Sequence, residues 1–186
     1  MDTENRNDPK LTQLIADCKR GSYRAQHKLF KTYYSHMFGI CMRYASNPDE
    51  AEDMLSEGFL KIFSNLEQYE DTGSFEAWMK RVMTNAAIDF QRKYKTLIET
   101  VEYESVSETD LQRYDLNPAL DKLSGDELME LIQELPPVSR LVFNLYIFEN
   151  YTHTEIAEKL NIKEGTSHWH LNFARNTLKQ KIINNR

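Results

Sequence analysis

Cysteine is nearly absent from this chain: Cys18 and Cys41 are the only two in 186 residues. Two thiols cannot build a disulfide framework, and both sit in helix-like patterns, so we expect a reducing, cytoplasmic setting. No run approaches the roughly 20 consecutive apolar residues that a bilayer-spanning helix needs. The first residues, MDTENRNDPK, are polar and acidic, and we expect neither a secretory leader nor a transit peptide. There is no β-hairpin signal and no internal repeat of fixed period. C-x-x-C, H-E-x-x-H and Glu-x-x-His patterns are also missing. His168-x-His170, even beside Cys18, Cys41, His27, His36 and His153, is therefore read as structural or incidental, and neither a metal nor another cofactor is expected. An excess of positive charge is missing too. The net charge is −6, which taken as a sum argues against a nucleic-acid partner.

The distribution of charge reverses that reading. Residues 1–95 carry 14 basic and 14 acidic side chains, residues 96–122 carry 2 and 7, and residues 123–186 carry 7 and 8. Within the first block, 80–95 holds five basic residues against one acid, Asp89; near the C-terminus, 165–186 holds four against none. Two local basic segments are thus separated by an acidic one, and the local field matters more than the sum.

What is present is helical periodicity. Residues 11–20 form a short amphipathic set that breaks at Gly21-Ser22, and a second pattern runs to about Tyr44. Asn47-Pro48-Asp49-Glu50 combines an N-cap, a proline at the first helical position and a glutamate at N3. The helix it opens sets Met54, Leu55, Phe59, Ile62, Phe63 and Leu66 on one stripe, with Glu52, Asp53, Ser56, Glu57 and Lys61 largely opposite. After a polar loop, 67–74, a helix starting near Ser74 repeats apolar residues at three-four spacing from Phe75 to Phe90. Periodicity fades over 96–122, which reads as an acidic linker. Helices resume at Ser124, a capping box with Glu127, and stop at Pro136-Pro137. A second apolar helix runs from Val138 to Phe148, a second box pairs Thr152 with Glu155, and a turn at Asn161-Ile162 leads to a last helix from Glu164 to about Ile182. We expect an all-α chain with two small helical domains, 1–95 and 123–186, joined by the linker.

Three segments carry candidate chemistry. Residues 152–175 have the helix-turn-helix layout, in which the second helix enters the major groove and its first residues reach base edges. There His168, Trp169, His170 and Asn172 stand near the helix start, while Arg175 and Lys179 are spaced for phosphates. A plain helical hairpin has the same outline. The 75–93 helix pairs a basic, Asn-bearing face with aromatics, which suits stacking and phosphate contact on single-stranded DNA; a solvated basic face on a bundle helix is the plainer alternative. The 49–66 helix, acidic outside and apolar inside, fits core packing, or a surface offered to a basic partner helix.

The order and spacing of these segments resemble the extracytoplasmic-function (ECF) sigma factors of the sigma-70 family. NPDEAEDMLSEGFLKIF is similar to the family's D-x-x-D-A-E-D-L-x-Q-E-x-F segment, and SFEAWMKRVMTNAAIDFQRK to its F-x-x-W-L-x-x-I-x-x-N-x-x-x-D-x-x-R segment. The stretch from Leu135 to Leu178 resembles the part that reads the −35 element, and the likeness spans roughly 11–95 and 125–183. The resemblance implies a transcription initiation factor rather than an enzyme, with core RNA polymerase and promoter DNA as partners and no small-molecule substrate. Asp53, Leu55, Ser56, Glu57 and Phe59 fall in the polymerase-docking segment. Trp78, Lys80, Arg81, Asn85, Asp89, Arg92 and Lys93 fall in the segment that melts and reads the −10 element, and the 67–74 loop stands where a flipped base is captured. Thr166, Ser167, His168, Trp169, His170, Asn172, Arg175 and Lys179 fall in the −35 segment. The acidic linker would thread the polymerase's RNA path. An anti-sigma factor is implied as a further partner, which, if membrane-bound, would hold the chain at the inner face of the membrane.

The sequence also departs from the family's pattern. Ser56 replaces a usual Gln, and Gly58 interrupts the docking helix at about 1 kcal/mol relative to Ala. The recognition helix usually reads G-T-V-K-S-R-L-x-R-A-R, whereas here His168, His170 and Phe173 stand where Lys, Arg and Arg are common. Fewer fixed charges imply a shallower salt dependence, and both histidines are expected to be mostly neutral at pH 7.5. The docking mode is then kept while the −35 sequence differs from the common one. Two rivals stand beside this reading. One is a conventional helix-turn-helix regulator that binds duplex DNA unaided. The other is a metal-dependent nuclease assembled from Asp53, Glu57 and Asp89, whose spacing does not demand it.

Overall fold

The computed structural model describes residues 8–70, 73–94 and 124–184. Among them every regular element is helical, and the chain divides into two compact units, 1–94 and 95–186. The 96–122 linker expected from sequence lies outside the described residues.

Among the described residues the first unit has four helices: α1 (Pro9–Lys19), α2 (Tyr23–Tyr44), α3 (Pro48–Ser64) and α4 (Phe75–Tyr94), with a 3₁₀ turn at Leu66–Gln68. Their starts are fixed by local chemistry. Asp8 accepts from the Lys10 amide and puts Pro9 at the first helical position, so α1 begins two residues earlier than its apolar pattern suggests. Ser22 caps α2, and the Asn47 side chain accepts the Glu50 amide at 2.8 Å while the Glu50 carboxylate takes the Ser46 amide at 2.8 Å. The core is formed by Leu29, Met37, Met54, Ile62, Met79 and Met83, all fully buried. Gly58 now has a reason. A Cβ there would collide with Sδ and Cε of Met83, so the missing side chain lets α4 seat Met83 against α3. Gln91, buried at the far end of α4, donates to the Tyr44 carbonyl at 3.0 Å and to Glu50 at 3.0 Å, joining α4 to the end of α2 and the start of α3.

The second unit contains α5 (Gly125–Gln133), α6 (Pro137–Ile147), α7 (His153–Leu160) and α8 (Glu164–Asn184). Both capping boxes form: Ser124 with Glu127, and Thr152 with Glu155. Arg140, almost wholly buried, donates to the Gln133 carbonyl at 2.9 Å and so satisfies the end of α5. Asn161 adopts the left-handed conformation (φ 54°) that closes α7, and the Ile162 amide returns to the Ala157 carbonyl at 3.0 Å. Helix α8 packs on α6 and α7 through Leu171, Ala174, Leu178 and Ile182.

Candidate functional site

The outward face of α3 is set by what the inward face must bury. Leu55 and Phe59, expected to dock a partner, are only 2% and 3% exposed. Phe59 packs its ring 4.7 Å from Phe30 and 5.9 Å from Phe63. These two side chains anchor the helix and do not reach its surface. Asp53 and Ser56 are exposed, Glu57 is half-buried, and its carboxylate stands 3.6 Å from the Lys93 ammonium of α4. Sequence reasoning missed Leu60, which is 70% exposed and lies one turn beyond Ser56 and Glu57. The signal was present: an apolar residue interrupting the polar stripe of an otherwise strict pattern.

On α4, Trp78, Arg81, Asn85, Asp89 and Arg92 recur at three- and four-residue spacing and share one face. Asp89 holds the Lys61 ammonium at 2.6 Å, so its charge is met by α3. Arg81 and Arg92 are exposed and make no ion pair among the described residues. Lys80 lies off this face, 3.6 Å from Glu76, which also meets His36 at 2.7 Å. Lys93 is committed in part to Glu57. At the start of α4, Phe75 and Trp78 stack with centroids 5.7 Å apart, and Tyr69 packs on both while its hydroxyl donates to the Gly73 carbonyl at 2.7 Å. The Lys19 ammonium donates to the Tyr69 carbonyl at 3.2 Å, tying α1 to the same corner. Residues 71 and 72 of the 67–74 loop lie outside the described residues.

Helix α8 sorts the eight expected DNA residues into two groups. His168 is exposed, and Thr166, Trp169, Asn172, Arg175 and Lys179 are half-buried around the accessible side. Ser167 and His170 face inward instead. Ser167 is fully buried, with its hydroxyl 2.9 Å from Nδ1 of His153, and His170 is 5% exposed, with Nδ1 hydrogen-bonded to Oγ of Ser139 on α6 at 2.9 Å. With α6 and α7 both packed on α8, the buried arc is wide enough to take both. Burial pushes the His170 pKa down to about 4. Burial, then the neighbouring His168 and Arg175, outweigh Glu164 and lower His153 to about 4 as well. A column of rings crosses the unit: Arg175 over Tyr146 (5.6 Å), Tyr146 on His153 (4.7 Å) and His153 on His168 (3.6 Å). It fixes the start of α8 against α6 and α7. Phe173 and Asn176, both exposed on α8, were not among the expected site residues, although counting from the inward positions would have found them.

No cluster of three or more metal-ligating side chains occurs among the described residues. Burial raises the Cys41 thiol to about 12, and burial with Asp17 raises Cys18 to about 11, so neither forms a thiolate at neutral pH. No helix among the described residues is long and apolar enough to cross a membrane.

A helix with a basic, aromatic face in one unit and a helix-turn-helix in the other are the layout of a DNA-binding protein. Residues 29–96 match sigma-70 region 2 and residues 125–178 match sigma-70 region 4. The ECF RNA polymerase sigma factor SigW of Bacillus subtilis (strain 168) is 27% identical over 181 residues, covering 92% of this chain and 96% of that protein. SigE of Mycolicibacterium smegmatis, another ECF sigma factor, is 27% identical over 75% of this chain and 54% of its own length. Among solved structures, CnrH in complex with the cytosolic domain of CnrY aligns over 98% of this chain and 99% of that one, at 16% identity and a TM-score of 0.48. The chain belongs to the sigma-70 family, as an ECF RNA polymerase sigma factor.

Proposed function

We propose that this chain gives core RNA polymerase its promoter specificity by dividing the work between its two units. The outward face of α3, with Asp53, Ser56, Glu57 and Leu60, docks on the polymerase. Trp78, Arg81, Asn85 and Arg92 on α4 hold the unpaired −10 strand, the aromatic ring offering a stacking surface and the guanidiniums meeting phosphates. Helix α8 lies in the major groove of the −35 duplex. Bond making belongs to the polymerase, and this chain supplies binding, orientation and strand capture in the cytoplasm. The observation that carries the reading is the single face of α4, where two exposed arginines, in no ion pair among the described residues, flank Asn85 beside a half-buried tryptophan. Such a face suits a flexible single strand better than a rigid duplex. An inhibitory anti-sigma partner competing for the α3 and α4 surfaces, and passage of the acidic 96–122 segment through the polymerase's RNA channel, belong to the same proposal.

The test is open-complex formation by reconstituted holoenzyme, read by reactivity of unpaired thymines near −10. Arg81→Ala/Arg92→Ala is expected to lower the open fraction several-fold and to reduce the salt slope by about 1.4, about 0.7 per phosphate contact on a single strand. Unchanged melting in a folded double variant would contradict the role of α4. Specific duplex binding by the free chain, with no polymerase requirement, would favour an ordinary regulator.

A further inference from the structure

Helix α8 carries its inward residues at Ser167, His170, Leu171, Ala174, Leu178 and Ile182. The 3.6-residue period then places Trp169, Asn172, Phe173 and Asn176 on the opposite side over the first four turns. Asn176 is exposed, Phe173 is 37% exposed, and the Trp169 and Phe173 rings stack 5.2 Å apart at 18°. No lysine or arginine stands at the centre of this face. Arg175 lies on the flank with its guanidinium over the Tyr146 ring, and His168 lies on the same flank against His153.

Those facts bear on which bases such a helix can read. Guanine is most often recognised by Arg or Lys on O6 and N7, and that chemistry is missing from the centre of the face. Two carboxamides are present, and Asn is the partner whose donor and acceptor match N6 and N7 of adenine. Beside them the stacked Trp169 and Phe173 form an apolar ridge, which suits the 5-methyl group of thymine. Asn172 and Asn176 are four residues apart, about 6 Å along the axis, so they reach base pairs one or two steps apart at about 3.4 Å per step.

We propose that this chain selects A·T pairs at the centre of its −35 element, with Asn172 and Asn176 reading adenines and Trp169 and Phe173 reading thymine methyls. The proposal rests on α8 lying in the major groove, as proposed above. It makes Phe173 a specificity residue rather than a lost phosphate contact.

The test uses the full chain with core polymerase on a promoter library randomised at both elements, each promoter identified by a barcode in its transcript. Wild type is expected to enrich A·T at two or more adjacent −35 positions. Asn172→Arg or Asn176→Arg is expected to move one of these toward G·C by about tenfold, within the range of one bidentate base contact. Replacing thymine by uracil in the selected −35 element should lower promoter use several-fold with wild type and leave Phe173→Ala insensitive to the replacement. Enrichment of G·C by wild type, a −10 preference without a −35 preference, or identical profiles for wild type and both arginine variants would each overturn the proposal while leaving the sigma reading intact. Failure to select any promoter would overturn both.

Discussion

His170 shows how one buried side chain changes the meaning of a motif. It stands where the recognition-helix pattern that the sequence resembles has arginine, yet here it is held inside by Ser139 with its pKa lowered to about 4. His170→Arg would force a guanidinium into the α6–α8 contact and break that hydrogen bond, an uncompensated charge of the kind that costs about 3 kcal/mol or more. His168→Arg, on the exposed flank, gives up the stack on His153 but buries no charge, so it should cost about 1 kcal/mol or less and steepen the salt dependence of promoter binding by about one unit. Urea unfolding of the two variants, with binding titrations of the stable one, separates these outcomes. The sign of the pH dependence follows from the same residue. The unfolded imidazole titrates near 6.5 and the folded one, with His153, near 4. Protons are therefore taken up on unfolding, so stability from these groups is complete above about pH 6.5 and lost as pH falls through 4. We expect the denaturation midpoint of the second unit to fall between pH 6.5 and 4, and the fall to be smaller in His170→Gln.

At the scale of elements, the turn between α7 and α8 sets where α8 points. Asn161 sits at φ 54°, which a β-branched side chain tolerates badly. Asn161→Val should cost about 1–2 kcal/mol, and Asn161→Gly should be near neutral, by thermal or chemical denaturation. This turn was legible in the sequence, as were both capping boxes and the Asn47-Pro48 start, because each depends on residues within four positions of one another. The face of α4 was legible only in part: spacing brings Arg81, Asn85 and Arg92 together, but Trp78 counted with the apolar repeat and Lys80 with the basic face, and the packing of α4 exchanges the two. Depth was not legible. A three-four stripe names the apolar side of a helix without stating how many partners cover it. Leu55, Phe59, Ser167 and His170 are enclosed because two helices pack on their side, while Leu60 is left outside because none does. Gly58 read as a weak point of α3 until Met83, 25 positions away in sequence, was seen to occupy its space.

For the whole molecule, the overall acidity and the DNA-binding role are compatible because the charges are segregated. The basic face of α4 and the acid-free C-terminal segment lie on either side of the acidic stretch 96–122 in the sequence, and where α3 meets α4 the charges are matched: Glu57 faces Lys93, Lys61 faces Asp89 and Glu50 accepts from Gln91. A chain arranged in this way is suited to act as a subunit, with the polymerase supplying the remaining nucleic-acid contacts. The most direct measurement is a binding titration of fluorescently labelled chain with bacterial core RNA polymerase, comparing wild type with Leu60→Asp. Leu60 is exposed, so the substitution should leave the folded state unchanged by circular dichroism while removing an apolar contact at the proposed docking face. We expect a one-to-one complex for wild type and at least a tenfold loss of affinity for the variant, equivalent to about 1.4 kcal/mol. A folded wild type that forms no complex, or a variant that binds as tightly as wild type, would contradict the account.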